Sequence, residues 1–149
     1  MTGPAPARPG VSLSAVSGAA NVGVVRMLWA AVREQDVEAV VSLADGDVVW
    51  EPTAVHGGGR LHGRSELRGY LSQLRTAGTL ADAHPYSFEA VGESVIVSGV
   101  LRLRREDDVV EDLHRWWVYA VGAGKVVSAS SHTSRADAMR AVRAGHGAR

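Results

Sequence analysis

The chain has 149 residues, enough for one domain with a real core and too few for two comfortable ones. Lys plus Arg number 16 and Asp plus Glu number 16, so no net field gathers nucleic acid or an anionic membrane. There is no cysteine, which excludes disulfides, thiolate metal sites and thiol nucleophiles and points to no oxidising compartment. The expected location is cytoplasmic, because no apolar run reaches the roughly 20 residues of a membrane span and Met1 to Gly10 is proline-rich with no signal-peptide core behind it.

In chain order, residues 1–20 are Pro, Gly, Ala and Ser with little bulky apolar content, which predicts a disordered tail ahead of a domain over 21–144. Val25, Leu28, Trp29 and Val32 fall at i, i+3, i+4 and i+7 and predict a helix over 22–34. Asp36 can cap a second, shorter helix carrying Val37, Val40, Val41 and Ala44, so the two should form a hairpin that ends in the Ala-Asp-Gly-Asp break at 44–47. Asp47 to Glu51 reads as a strand stopped by Pro52, which cannot donate to a ladder. His56 to Gly63 holds four glycines and reads as a loop. Ser65 can then cap a third helix through Leu67, Tyr70, Leu71 and Leu74, with Gly78 beyond its end.

After Pro85 the texture becomes strand. Segments 86–91, 94–104, 109–121 and 125–133 are separated by short polar or glycine-containing breaks, the pattern of an antiparallel meander. Ser134, with Asp137 three residues on, signals a last helix through Ala136, Met139 and Val142, and residues 145–149 should fray. Helices gathered ahead of the strands argue for an α+β layer architecture.

Three stretches resemble one family. Asp36-Val37-Glu38-Ala39-Val40-Val41-Ser42-Leu43 followed by Val49-Trp50-Glu51-Pro52 is similar to a second helix and first strand of nuclear-transport-factor-2-like proteins, in their SnoaL-like and ketosteroid-isomerase-like branch. Leu61-His62-Gly63-Arg64-Ser65-Glu66-Leu67 looks like that family's Gly-Arg entry into helix three, and Gly122-Ala123-Gly124-Lys125-Val126-Val127 resembles its last β-turn. The resemblance covers residues 22–142. It implies a cone-shaped, curved antiparallel sheet wrapped around a helical layer with a central apolar pocket, the cystatin-like roll. Hosted chemistries range from isomerases, cyclases and hydratases to no reaction at all, so function has to be argued from the site.

By the same resemblance Glu51 matches the carboxylate with which the isomerases move a proton, and it would face the pocket; the alternative is a strand-end glutamate in water. The isomerase tyrosine falls at Leu28 and its partner aspartate at Trp116, so the usual donors for an enolate are missing. Alignment turns Trp116 inward, with His114 beside it as a proton shuttle or a hydrogen-bonded core or interface histidine, and leaves Trp117 and Tyr119 outward. It turns Ala129, Ser131 and Thr133 inward and His132 away. Trp29 and Tyr70 read as pocket walls on helix faces that must cover the sheet.

Metal binding is not expected, since the six histidines form no i, i+4 pair. No cofactor is indicated, because glycines 57–59 lack a following Gly-Lys-Ser/Thr. Arg102, Arg104 and Arg105 should pair with Glu106, Asp107 and Asp108 across a solvated hairpin. The expected partners are a hydrophobic small molecule, polyketide-, terpenoid- or steroid-like, and a second copy of the chain. Two functions stay open: an isomerase, cyclase or hydratase with Glu51 as base, and a non-catalytic ligand-binding or dimeric accessory domain.

Overall fold

A computed structural model describes residues 13–52, 59–104 and 106–147; the tail ahead of residue 13 and the first part of the glycine-rich loop, with His56, lie outside them. Helix α1 spans Leu13–Arg33 and α2 spans Val37–Ser42. Strand β1 (Ala44–Trp50) and the short β2 (Leu61–His62) precede α3, Gly63–Thr76. Strands β3 (Ala83–Val91), β4 (Ser94–Arg104), β5 (Val110–Gly122) and β6 (Lys125–His132) follow, and α4 closes the chain at Arg135–Gly147.

The strand order is β2-β1-β6-β5-β4-β3. The last four strands form the expected meander, and β1 adds to its end in parallel with β6, so the six-stranded sheet is mixed. Register shifts at Pro85/Ser87, Ala120/Val121 and Ala44/Val49 are the kind of irregularity that bends a strand and raises its twist, consistent with a curved α+β sheet.

Alternation sorts the sheet's side chains between two cores. Val95, Val97, Trp117, Tyr119 and Val121 join the main core with α1, α2 and α3, whereas Ile96 and Val118 meet Ala138 and Val142 of α4 on the other face. Full burial of a side chain such as Leu28 or Leu67 contributes about 1.5–3 kcal/mol, so the larger core carries the fold.

Local chemistry sets the joints. Asp36 caps α2, its carboxylate accepting from Ala39 N at 3.1 Å, after Gln35 turns the chain at a φ of 57°. The Gly-Arg motif is a structural joint: Gly63 takes a φ of 83°, and Arg64 Nε donates to the Ala44 carbonyl at 2.8 Å, tying α3 to the start of β1. Ser134 caps α4 as expected, accepting from Asp137 N at 3.1 Å.

Several boundaries differ from those read in the sequence. Helix α1 begins at Leu13, well inside the segment expected to be a tail, because Gly18 is buried and lets the helix approach the β3–β4 hairpin: a Cβ there would stand 3.0 Å from Ala90 Cβ. Asn21 Nδ2 also donates to the Glu93 carbonyl at 3.4 Å. At the other end α4 runs to Gly147. Arg102 pairs with Asp112, directly opposite on β5, at 3.0 Å, not with the turn acids that follow it.

Gly99 sits against the partner strand with no room for a side chain. A Cβ there would collide with the His84 carbonyl oxygen and lie 2.8 Å from Pro85 Cα, both backbone atoms of the bulged partner strand. Gly99→Ala should therefore cost on the order of 1–3 kcal/mol in urea unfolding. Gly23→Ala, with nothing within 4 Å of the added methyl in α1, should instead gain up to about 1 kcal/mol. Equal midpoints for the two variants would contradict the packing described.

Candidate functional site

Between the inner face of the sheet and the helices above it lies a half-open cavity of about 80 Å³. Leu28, Trp29 and Val32 of α1 and Tyr70, Leu71 and Leu74 of α3 form its roof. Trp50, Leu101, Trp117, Tyr119 and Ala129 form its floor, and Thr79, Leu80 and Ala83 close one side. About 10–15 Å³ admits one water, so the space holds a few waters or one small ring and falls well short of the roughly 300–1,000 Å³ of a drug-sized site.

Aromatic edges build the wall. Trp29 meets Trp117 at 4.9 Å and 65° and Tyr119 at 6.5 Å and 90°, while Trp50 meets Tyr119 at 6.0 Å and 63°. Edge-to-face pairs contribute about 0.5–1.5 kcal/mol each beyond their area, so the wall is rigid as well as apolar. Tyr119 is 3% exposed, and burial pushes its phenol far above the ordinary range, which keeps it neutral. An interaction with the Trp29 indole N–H partly offsets that push, and Trp29 Nε1 is itself closed off from water.

Glu51 borders the cavity. Its backbone N–H donates to the Ala129 carbonyl at 2.8 Å, extending the β1–β6 pairing by one residue. Its side chain is 41% exposed and accepts from Arg60 Nη2 at 2.7 Å. Glu51 is thus a rim carboxylate in contact with water and a cation, not one immersed in the apolar interior.

Of the other expected site residues, Leu28, Trp29 and Tyr70 stand on the cavity wall. His114 and Trp116 do not: Trp116 lies opposite His132 and Ser98, on the face that α4 partly covers, and His114 is exposed with its ring stacked on Trp116 at 4.5 Å and 9°. The inward residues of β5 are Trp117 and Tyr119, one position from the expected phase. Ser131 lies opposite Trp117 but does not line the cavity; Ala129, opposite Tyr119, does. The residues that sequence reasoning left out are therefore Trp50, Trp117 and Tyr119. Their signal was the run Trp117, Tyr119, Val121 at period two, masked by an equally apolar Trp116, Val118, Ala120.

His132 faces outward as expected, and Ser130 Oγ lies 2.8 Å from its Nε2. Among the described residues no group of three or more His, Cys, Asp or Glu side chains could hold a metal ion, and no helix is long and apolar enough to cross a membrane.

Burial pushes the His132 imidazole below its usual 6.5, against the opposing pull of Glu51 and Asp137. The unfolded chain therefore takes up this proton first as pH falls. Its contribution to stability is complete above about pH 6.5 and is lost as pH drops through the lower folded value. His132→Gln should lose less stability between pH 7 and pH 5 than the parent in urea unfolding. Parallel losses would place His132 in open water.

No protein-family model matches the chain, and no curated protein matches it in sequence. Solved structures do. An NTF2-like protein of unknown function from Burkholderia pseudomallei K96243 is 25% identical with a TM-score of 0.65, over 81% of this chain and 95% of that one. TerC, co-crystallised with polyporic acid, is 20% identical with a TM-score of 0.64, over 81% and 96%. SalBIII, an epoxide hydrolase/cyclase-like enzyme in pyran ring formation in the polyether salinomycin, is 20% identical with a TM-score of 0.60, over 78% and 92%.

Proposed function

Because this chain belongs by its fold to the nuclear-transport-factor-2-like superfamily, we propose that it is a SnoaL-like small-molecule-binding domain whose ligand enters the aromatic cavity beneath α1 and α3. The observation that carries this reading is the half-open apolar space with one ionisable carboxylate, Glu51, at its edge. Its volume of about 80 Å³ admits a single ring, so a polyketide-, terpenoid- or steroid-like compound inserts one end and leaves the rest outside or widens the cavity. Glu51 then acts as general acid or base on the inserted end, in an isomerisation, cyclisation or hydration. Its ion pair with Arg60 is solvated, and exposed pairs contribute only about 0–1 kcal/mol, so a substrate displaces Arg60 at little cost. The names of two structural neighbours, one crystallised with polyporic acid and one engaged in ring formation, agree with a small cyclic ligand.

The same ion pair also favours the second reading, a non-catalytic binding or accessory domain, because Glu51 is already engaged. Cyclohexanone, a single ring that carries exchangeable α-protons, separates the two. Ala83→Phe, which fills one side of the space, should abolish its quenching of tryptophan fluorescence while the protein stays folded. If Glu51 is a base, deuterium exchange at the ketone's α-carbon should fall about 100-fold or more in Glu51→Gln, with binding unchanged. Exchange that is indifferent to Glu51 would leave the binding role and remove the catalytic one.

The reading extends to a homodimer through the outer sheet face, supported by Trp116 and the exposed His114 stacked on it. Sedimentation should give a dimer at micromolar concentration and a monomer for Trp116→Glu. A monomeric parent would refute this part alone.

A further inference from the structure

On the outer face of the sheet a hydroxyl and an imidazole meet at hydrogen-bond distance. Ser130 and His132 share that face of β6, and Ser130 Oγ lies 2.8 Å from His132 Nε2. The register brings two acids to the pair. Trp50 pairs with Ala129 in parallel, so Glu51 comes next to Ser130 at the end of β1, while Asp137 approaches from the first turn of α4. Both carboxylates act on the imidazole through their charge, and each has its own arginine, Arg60 on Glu51 and Arg140 on Asp137. Apolar residues flank the pair across the β5–β6 ladder, Val118 opposite Ser130 and Trp116, with His114 stacked on it, opposite His132. Ser130 also lines the cavity, so the cluster and the cavity meet at one rim. Burial holds His132 unprotonated at neutral pH, the state in which an imidazole can accept a proton, and the two carboxylates favour the imidazolium that accepting it creates.

We propose that Ser130 and His132 form a nucleophile–base pair that hydrolyses small aryl esters, an activity separate from the Glu51 chemistry of the cavity and independent of the ligand held there. With the ring proton on Nδ1, His132 Nε2 takes the Ser130 hydroxyl proton as Oγ attacks the ester carbonyl carbon. The bond from that carbon to the aryl oxygen breaks, the aryloxide takes the proton from Nε2, and an acyl-serine remains. Water then gives a proton to Nε2 and its oxygen to the acyl carbon. Ser130 Oγ leaves with the proton from Nε2, and the carboxylic acid departs. Glu51 and Asp137 are positioning residues, because they act through His132 and touch no reacting atom.

p-Nitrophenyl acetate tests this on the full chain. Release of p-nitrophenolate should open with a burst of about one equivalent per chain, and peptide mapping after an acid quench should find the acetyl group on Ser130. Ser130→Ala and His132→Gln should each lower the rate about 100-fold, and the double variant should fall no further, because the two side chains act as one unit. In the parent the rate should rise with pH through a midpoint below 6.5, as His132 loses its proton. His84→Gln, which removes an imidazole from the same sheet face on β3 at the far edge of the meander, should leave the rate unchanged. Should a variant fail to fold, the burst and the position of the acetyl group in the parent still decide. Acetyl groups found only on other side chains, or a rate indifferent to Ser130→Ala, would overturn the proposal and leave the Ser130–His132 contact a structural hydrogen bond.

Discussion

The pairing of β5 with its two neighbours is the constraint on which the rest of the molecule depends. Directly opposite residues share a face, so the rows Val97–Trp117–Ser131 and Val95–Tyr119–Ala129 point one way. The row Ser98–Trp116–His132 points the other. Because side chains alternate with a period of two, a one-residue slip would exchange these sets and put Trp116 under α1 and Trp117 under α4. The cavity, the aromatic wall and the docking surface for α4 would all disappear together. Trp29 and Trp50 hold the register from the two sides of the cavity by meeting Trp117 and Tyr119 edge to face.

That register also explains why the site has the chemistry it does. A sheet face carrying Trp117 and Tyr119, covered by a helix that presents Leu28 and Trp29, is apolar almost throughout and contains only neutral donors. The ionisable groups are displaced to its edge. Glu51 ends up there because β1 buries Val48 and Trp50, which sends the alternate positions away from the core, and Arg60 meets it across the water-exposed rim. The apolar wall and the ionisable rim thus occupy different parts of one cavity.

Peripheral joints then orient the helices without adding much energy. Arg68 bridges to Glu38 at 2.7 Å between α3 and α2, and Arg135 to Glu89 at 2.7 Å between α4 and β3. Each pair is substantially exposed, so its value lies in fixing geometry more than in stability. Lys125 Nζ, donating at 2.7 Å to the Ser42 carbonyl at the end of α2, and Arg64 on the Ala44 carbonyl do the same for the junction where β1 joins the meander. The Gly-Arg motif that drew attention as a family signature is one of these joints.

What could be read from the residues was whatever depends on neighbours in sequence. Spacing at i, i+3 and i+4 located the four helices, glycine and acidic breaks located the hairpins, Asp36 and Ser134 proved to be the caps they resembled, and Leu28, Trp29 and Tyr70 lie on the cavity wall. The short β2, the parallel join of β1 to β6 and the start of α1 at Leu13 were not legible, because each depends on a segment distant in the chain. The phase of β5 was the costliest ambiguity. Both of its faces are apolar, so periodicity could not choose between Trp116 and Trp117, and alignment chose His114 and Trp116. Those two could not have faced inward together with Ala129, since Ala129 opposes Tyr119. By itself the sequence determined the helices and the meander, because those follow from local spacing and capping, while the apolar cavity was an expectation of the family resemblance alone. Only the tertiary structure decided which side chains line that cavity, because the face a strand residue occupies is set by hydrogen-bond register with strands elsewhere in the chain.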